Sequence, residues 1–394
     1  MKILFIGGIL PEKNIKEIIS NSKKNVDFAA HNFQKKLICG LDENNIHFDF
    51  FSVPFISSFP KYYKKIKIKK ETVDSINYVG FINLPYLKIF SRYLSLKKEL
   101  KKYLKNNNDF NVMIYSLHFP FIRNTKLIKK KFPNCKISLI VPDLQEYMSD
   151  NKTLIYRFLK TIEIKKTRKY IKYFDNFVFL TEYMNERVNI YNKPYTIVEG
   201  IANGKIMDNL SIYFNEDCRY FAYTGTLALR YGIMNLVNAF LRVKNPNVKL
   251  IICGHGEMAE SIKKISMENS QIVYKGLVSP DEADKIQKNA FALVNPRQNN
   301  EEYTKYSFPS KIMEYISTGK PVVCYKLDGF PKEYDDLLIY PKDNSIESLT
   351  KCLEDVFLYD KNEIKKIYDK SREFLKMKSP FESVKKILTN FEKE

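Results

Sequence analysis

Short apolar runs of strand length alternate with longer stretches of helical period along the chain, and the alternation starts afresh near residue 219. No other feature constrains the fold as much, because strands buried on both faces read as unbroken apolar runs and need covering helices between them. Strands are expected over residues 2–6, 47–53, 112–115, 136–141 and 176–180, then over 220–223, 249–253, 272–274, 292–294 and 322–325. A helix over about 30–44 would set Phe33, Leu37, Ile38 and Leu41 on one face, and others are expected over 233–243, 310–317 and about 362–391. A chain of 394 residues has room for two ordinary cores. The expectation is an α/β protein with two parallel sheets, joined through the polar, glycine-containing stretch 199–218.

The formal charge of +20 calls for an anionic partner or a heavily solvated surface. Lysines cluster at Lys64, Lys65, Lys67, Lys69 and Lys70, at Lys97, Lys98, Lys101, Lys102 and Lys105, and at Lys129, Lys130 and Lys131. Solvated faces and a membrane-facing patch account for them equally well. The six cysteines lie far apart, several in apolar runs, and read as reduced core residues of a cytoplasmic chain. The four histidines make no pair at metal-ligand spacing and no Asp-x-Asp triplet occurs, so neither a resident metal nor a cofactor is expected. The opening run is cut by Pro11, Glu12 and Lys13 and reads as a first strand, not a leader. With no apolar run of about 18 residues, any membrane contact is expected to be peripheral.

Chemistry concentrates in the string from Tyr306 to Val323, Tyr-Ser-Phe-Pro-Ser-Lys-Ile-Met-Glu-Tyr-Ile-Ser-Thr-Gly-Lys-Pro-Val-Val. Pro309 suits the first turn of a helix, with Ser307 or Phe308 as cap. The helix would then present its free amides at Ser310 and Lys311, an arrangement that favours a diphosphate. Glu314, nearly one turn on, would accept from ribose hydroxyls while Lys311 faces phosphate. Taken alone, a Lys-x-x-Glu pair is usually an ordinary solvated pair.

The string as a whole resembles the donor-binding motif of glycosyltransferase family 4 (group 1), with bacterial capsule and exopolysaccharide members most similar. The resemblance implies a GT-B fold, two Rossmann-like domains facing across a cleft, and retaining, metal-independent use of a nucleotide-diphosphate sugar as substrate. Many members carry two Glu residues eight apart; Glu314 matches the second, and Tyr306 stands in place of the first. Tyr223-Thr-Gly-Thr-Leu-Ala-Leu-Arg-Tyr-Gly232 resembles the family's second phosphate loop, with Gly225 allowing close backbone approach. Thr226 and Tyr231 occupy places where many relatives have Arg and Lys, so Arg230, or else Arg297, would supply the charge. The segment Lys275-Gly276-Leu277-Val278 resembles the one whose backbone borders the base. Gly254-His255-Gly256 is a ligand-facing turn or simply a tight one.

In the first half, Gly7 and Gly8 follow a strand where a glycine loop approaches donor and acceptor, without the continuation of a dinucleotide fingerprint. His118 follows another strand, where relatives place a polar residue near the transferred sugar; a hydrogen-bonded core or loop histidine is the equal alternative. Asp143 follows the next strand, either binding acceptor hydroxyls or stabilising positive charge, or capping a helix. The expected division is an acceptor domain over 1–198, a donor domain over 199–374, and a terminal helix over about 375–394 that packs back on the first. Hexosyl transfer to a glycan or lipid-linked glycan is the expected function, catalysed through His118, Asp143, Arg230 and Lys311. The partners would be a nucleotide-sugar, its acceptor and an anionic membrane surface, with no nucleic acid. A non-catalytic basic protein that binds nucleic acid or membrane is the alternative from another class.

Overall fold

The computed structural model describes residues 1–23, 26, 28–147, 154–189, 191–202 and 219–392. Two compact units divide the chain, Met1–Ile201 with Pro380–Glu394, and Ala202–Ser379. The expected connection lies largely at residues 203–218, outside the described residues, as do Gly204 and Cys218.

The strands of the first unit, with a small ribbon, are β1 (Lys2–Gly7), β2 (His47–Ser52), β3 (Lys67–Ile68), β4 (Glu71–Val73), β5 (Ile76–Tyr78), β6 (Phe81–Ile82), β7 (Asn111–Tyr115), β8 (Ile137–Val141), β9 (Asn176–Phe179) and β10 (Tyr195–Ile197). Its helices are α1 (Ile15–Asn21), α2 (Phe28–Glu43), α3 (Leu87–Asn106), α4 (Phe119–Ile122), α5 (Thr125–Lys131), α6 (Leu154–Ile171) and α7 (Tyr183–Val188). The main sheet runs β10-β9-β8-β7-β1-β2-β5-β4 and is parallel except at the β5–β4 edge. β8 and β9 are buried at every position, so they read as plain apolar runs. Strands β3 to β6 were not anticipated: they are two or three residues long, and the Lys-rich β3 pairs antiparallel only with β6.

In the second unit β11 (Tyr220–Thr224), β12 (Lys249–Cys253), β13 (Ile272–Gly276), β14 (Ala292–Asn295), β15 (Val322–Cys324) and β16 (Leu338–Ile339) form one parallel sheet in the order β13-β12-β11-β14-β15-β16. Its helices are α8 (Ile233–Phe240), α9 (Ala259–Glu268), α10 (Pro280–Asn289), α11 (Ser310–Ile316), α12 (Ile346–Phe357) and α13 (Lys361–Met377). This is the Rossmann strand order, in which strands after the first step one way and then, from the fourth, the other. The single terminal helix expected over 362–391 is two, because Pro380 starts a separate helix, α14 (Pro380–Glu392).

α14 belongs to the first unit. Val384, Ile387, Leu388 and Phe391 join Leu37 and Leu41 of α2 in one core with Ile3, Phe5 and Phe50. The two helices cross closely at Gly40, where a Cβ would lie 2.3 Å from the Pro380 carbonyl oxygen. Asn390 Nδ2 donates to Thr196 Oγ1 at 2.7 Å, and Asn176 Nδ2 to the Asn390 carbonyl at 3.2 Å. Cys135, Cys253, Cys324 and Cys352 are buried as expected, but Cys39 is exposed on the outer face of α2. No helix among the described residues is long and apolar enough to cross a membrane.

Candidate functional site

In an open parallel sheet the place for a ligand is the carboxyl edge beside the strand where the order reverses. In the second unit that strand is β11, flanked by β12 and β14. Four of its strand-end loops are the segments singled out by sequence. They are laced together by their own backbones: Gly225 N–H donates to Cys253 O at 3.0 Å, Leu227 N–H to His255 O at 3.1 Å, and Gly254 N–H to Gly276 O at 2.8 Å. Gly254, at φ +146°, leaves room for the Gly225 carbonyl, which a Cβ would meet at 1.8 Å. Gly256 does the same for the Leu227 carbonyl at 2.4 Å, so this pair of glycines is accounted for by the tight turn. Gly276, also left-handed at φ +70°, has nothing near its missing Cβ. Leu277 beyond it is 73% exposed, and Thr226 is exposed on the first loop.

α11 is fixed to the end of β11 by its fully buried Tyr315, whose hydroxyl accepts from Thr224 N–H at 3.0 Å. Lys311 stands four residues earlier on the same side of this short helix. Lys311 Nζ donates to the Glu314 carboxylate at 2.5 Å, and both side chains are partly exposed. The two side chains, expected to face different parts of a ligand, form a direct ion pair with each other in this structure. Such an exposed pair contributes at most about 1 kcal/mol and is readily exchanged for a stronger anionic partner. The expected cap also changes: Pro309 occupies the cap position at φ −68°, ψ 106°, and Ser310, exposed, opens the helix. Ser307 is unavailable as a cap because its hydroxyl accepts from Arg297 Nη2 at 2.5 Å and faces Tyr303 O at 3.3 Å.

Arg297 is 8% exposed, not the surface loop residue that its sequence position suggests. Its guanidinium lies 4.7 Å from the Tyr303 ring centroid and 5.9 Å from that of Tyr231, with Nε buried and unpaired. Burial pushes its pKa below the ordinary arginine value. Arg230 lies over the other neighbour, 5.0 Å from the Tyr231 ring, and is exposed. The loops meet because Gly232, at φ +74°, passes Pro296 so closely that a Cβ would sit 2.0 Å from its carbonyl oxygen. Tyr306 turns inward, 8% exposed, and its hydroxyl lies 3.4 Å from Glu302 Oε1. Of the two tyrosines that bracket Arg297, Tyr231 draws notice in the sequence only as standing where many relatives have Lys, and Tyr303 draws none; two tyrosines 72 residues apart leave no local signal of their meeting.

In the first unit the order reverses at β1, between β7 and β2. Gly7 ends that strand and Gly8 follows it, and both are buried and engaged: Gly8 N–H donates to Gln34 Oε1 at 2.8 Å. A Cβ on Gly7 would strike that oxygen at 2.2 Å, and one on Gly8 the Phe55 ring at 2.7 Å. Phe55 also packs edge-on to His118, at 5.9 Å between centroids, so the two loops meet around it. His118 Nε2 lies 3.3 Å from Arg92 Nη1, and its pKa is held well below the usual value by burial and then by Arg92, Lys88 and Lys160. The imidazole is neutral at pH 7. Arg92 is 4% exposed, donates to Pro54 O at 2.7 Å and leaves Nε without a partner. Sequence reading missed it, although an arginine in register with Leu96, Leu100 and Leu104 on the buried face of a helix is a readable anomaly. Asp143 is exposed between β8 and a turn at Gln145–Tyr147; Gln145 Nε2 donates to Leu117 O at 2.5 Å, tying this loop to that of His118.

Residues 218–357 match the family described as glycosyl transferases group 1. No curated protein matches the chain. Among solved structures, sucrose-phosphate synthase from Thermosynechococcus elongatus aligns at 12% identity and TM-score 0.66, over 99% of this chain and 97% of that one. The apo lipopolysaccharide outer core galactosyltransferase WaaB aligns at 15% identity and TM-score 0.63, over 99% of each chain. A structure described as trehalose-6-phosphate from E. coli bound with UDP-2-fluoro glucose aligns at 10% identity and TM-score 0.65, over 100% and 99%. At these identities the likeness establishes the fold, the GT-B arrangement of two Rossmann-like domains. Carrying a group 1 glycosyl transferase segment at the strand ends described above, on a fold of GT-B type, this chain is a glycosyltransferase.

Proposed function

We propose that the protein moves a hexose from a nucleotide-diphosphate sugar to a glycan or lipid-linked glycan acceptor, with retention of configuration and without a metal, in capsule or exopolysaccharide synthesis. What supports this reading is that Arg230 and Arg297 meet at Tyr231, that Arg297 bonds Ser307 just ahead of α11, and that α11, which carries the Lys311–Glu314 pair, is tied to the switch strand β11 through Tyr315. Departure of a nucleoside diphosphate builds negative charge on its phosphates, and fixed cations and amides there are the largest contribution a protein can make. Lys311 exchanges Glu314 for phosphate, Arg230 meets the same group from the facing loop, and Glu314 is released to ribose hydroxyls. The buried Arg297 keeps the loops in register beneath them. Ser310, Thr226 and the backbone of Gly225, Gly254, Gly276, Leu277 and Val278 complete the donor site.

In the first unit, neutral His118 and exposed Asp143 serve the transferred sugar and the acceptor hydroxyl. Gly7 and Gly8 shape the loop beside them, since the Gly8 amide is already engaged. The protein works in the cytoplasm against the inner leaflet, where a lipid-linked acceptor would be met.

A panel of UDP-, GDP-, ADP- and TDP-sugars tests the donor class by thermal stabilisation and slow donor hydrolysis. A ligand at about 100 times its Kd stabilises the native state by about 2.7 kcal/mol. One base class should raise the melting temperature and be hydrolysed; no response to any of them would overturn the reading.

A further inference from the structure

The charge is divided unequally. The first unit holds 39 Lys and Arg against 21 Asp and Glu, and the second 26 against 24. Almost all of the excess of +20 thus lies in the unit that does not carry the candidate phosphate loops, and it calls for a second anionic partner.

α3 shows where that partner fits. Residues 87, 90, 94, 97, 101 and 105 share one helical face. The first three, Leu87, Phe90 and Leu94, are 55%, 56% and 44% exposed. The rest are lysines, joined at the edge by Lys98 and Lys102, and no carboxylate of the described residues pairs with any of the five. Tyr86 just before the helix is 78% exposed. The antiparallel ribbon extends the apolar area sideways: Ile82 N–H donates to Ser91 Oγ at 2.8 Å, Asn83 N–H to Ile66 O at 2.7 Å, and both isoleucines are 47% exposed. Lys67, directly opposite Ile82 in the ribbon, is exposed, as is Lys69. Of the third lysine cluster two are committed internally, Lys129 to Asp175 at 2.8 Å and Lys131 to the Leu104 carbonyl.

We infer that the outer face of α3, with the β3–β6 ribbon, docks on an anionic lipid bilayer: Tyr86, Leu87, Phe90 and Leu94 enter the headgroup–acyl boundary, and the lysines from Lys97 to Lys105 lie along the charged surface. An apolar stripe that continues into lysine on one helix face is the composition of an interfacial helix. A second copy seated on the face would set lysine against lysine. A nucleic acid would take the lysines and could stack on Phe90, but would leave Leu87, Leu94 and the ribbon isoleucines in water. The inner face of the same two turns holds Arg92 against His118, so a bilayer on the outer face lies about one helix diameter, roughly 10 Å, from the strand-end loops of this unit. The inference rests on the proposed function only for its purpose, a lipid-linked acceptor; binding itself is read without sugar transfer.

The full chain is sedimented with phosphatidylcholine vesicles with and without phosphatidylglycerol, at about 50 and about 500 mM salt. Binding to the anionic vesicles is expected, weakened but not abolished by salt. The triple variant Leu87→Ser, Phe90→Ser, Leu94→Ser should lose roughly tenfold or more at both salts. Replacing Lys97, Lys98, Lys101, Lys102 and Lys105 by Gln should remove the preference for anionic lipid, at about fivefold per lysine near the surface. Donor hydrolysis and the melting temperature should be unchanged in both sets, which separates failure of docking from failure of the proposed function. No vesicle binding by the native chain, undiminished binding by the triple variant, or a native dimer that the triple variant renders monomeric would each overturn the inference.

Discussion

The two sheets share one architecture and finish their central strands differently. Past β11 the loops are held by backbone bonds from Gly225 to Cys253 and from Gly254 to Gly276, with charged side chains left at the surface. Past β1 the corresponding space is filled by side chains, Gln34 on the Gly8 amide and Phe55 against Gly8 and His118. A backbone-built edge presents amides and cations to a ligand of fixed, charged shape. A side-chain-built edge can be recut for different acceptors without disturbing the sheet. The near-neutral unit has Arg230, Arg297 and Lys311 on its strand-end loops and the helix that follows them, whereas the basic unit carries much of its charge on outward helix faces such as that of α3.

This contrast can be broken most directly by removing either member of the α11 ion pair. Lys311→Ala and Glu314→Ala are each expected to cut transfer by on the order of a hundredfold or more and to abolish stabilisation by the nucleotide-sugar. His118→Ala should cut transfer while leaving that stabilisation intact; a loss of donor binding in the His118 variant would erase the division of labour.

The glycines sharpen the same comparison through stability. Gly232→Ala combines a left-handed backbone with a 2.0 Å clash against Pro296 and should cost about 2–3 kcal/mol in denaturant titration. Gly276→Ala, left-handed but unobstructed, should cost only about 1 kcal/mol.

On the side-chain-built edge, Arg92→Met removes the nearest charge holding His118 down, so the imidazole pKa should rise toward its ordinary value by NMR titration. No movement would leave burial, with Lys88 and Lys160, as the cause. A further expected effect is in pH. Burial, then Arg92, lowers the Lys88 pKa from 10.5 to about 6. Between those values the unfolded chain holds more protons at this position, so stability falls as pH falls through the window and is flat below it. Lys88→Met should lessen that slope in unfolding measured at pH 7 and pH 9.5.

What could be read in advance follows from the range of the forces involved. Strands such as β8 and β9 announce themselves because both faces are buried, and the α11 segment because Pro309, Lys311, Glu314 and Gly319 stand close together in sequence. The β3–β6 ribbon was hidden because strands of two or three residues have no period to detect. Arg297 was undervalued because arginine is ordinarily exposed and its burial depends on Tyr231 and Tyr303, which only the folded chain assembles. The apolar start of α3 was obscured by the lysines around it, since a stripe is recognised as unpartnered only once the opposite face is seen to be the buried one.

The return of α14 to α2 sets the order in which the protein can mature. A ribosome delivers residues 28–43 early and 380–392 more than 300 residues later, so the first unit waits with Leu37 and Leu41 uncovered while the second is made whole. At about 5–20 residues per second that exposure lasts tens of seconds, during which chaperones have an apolar face to hold.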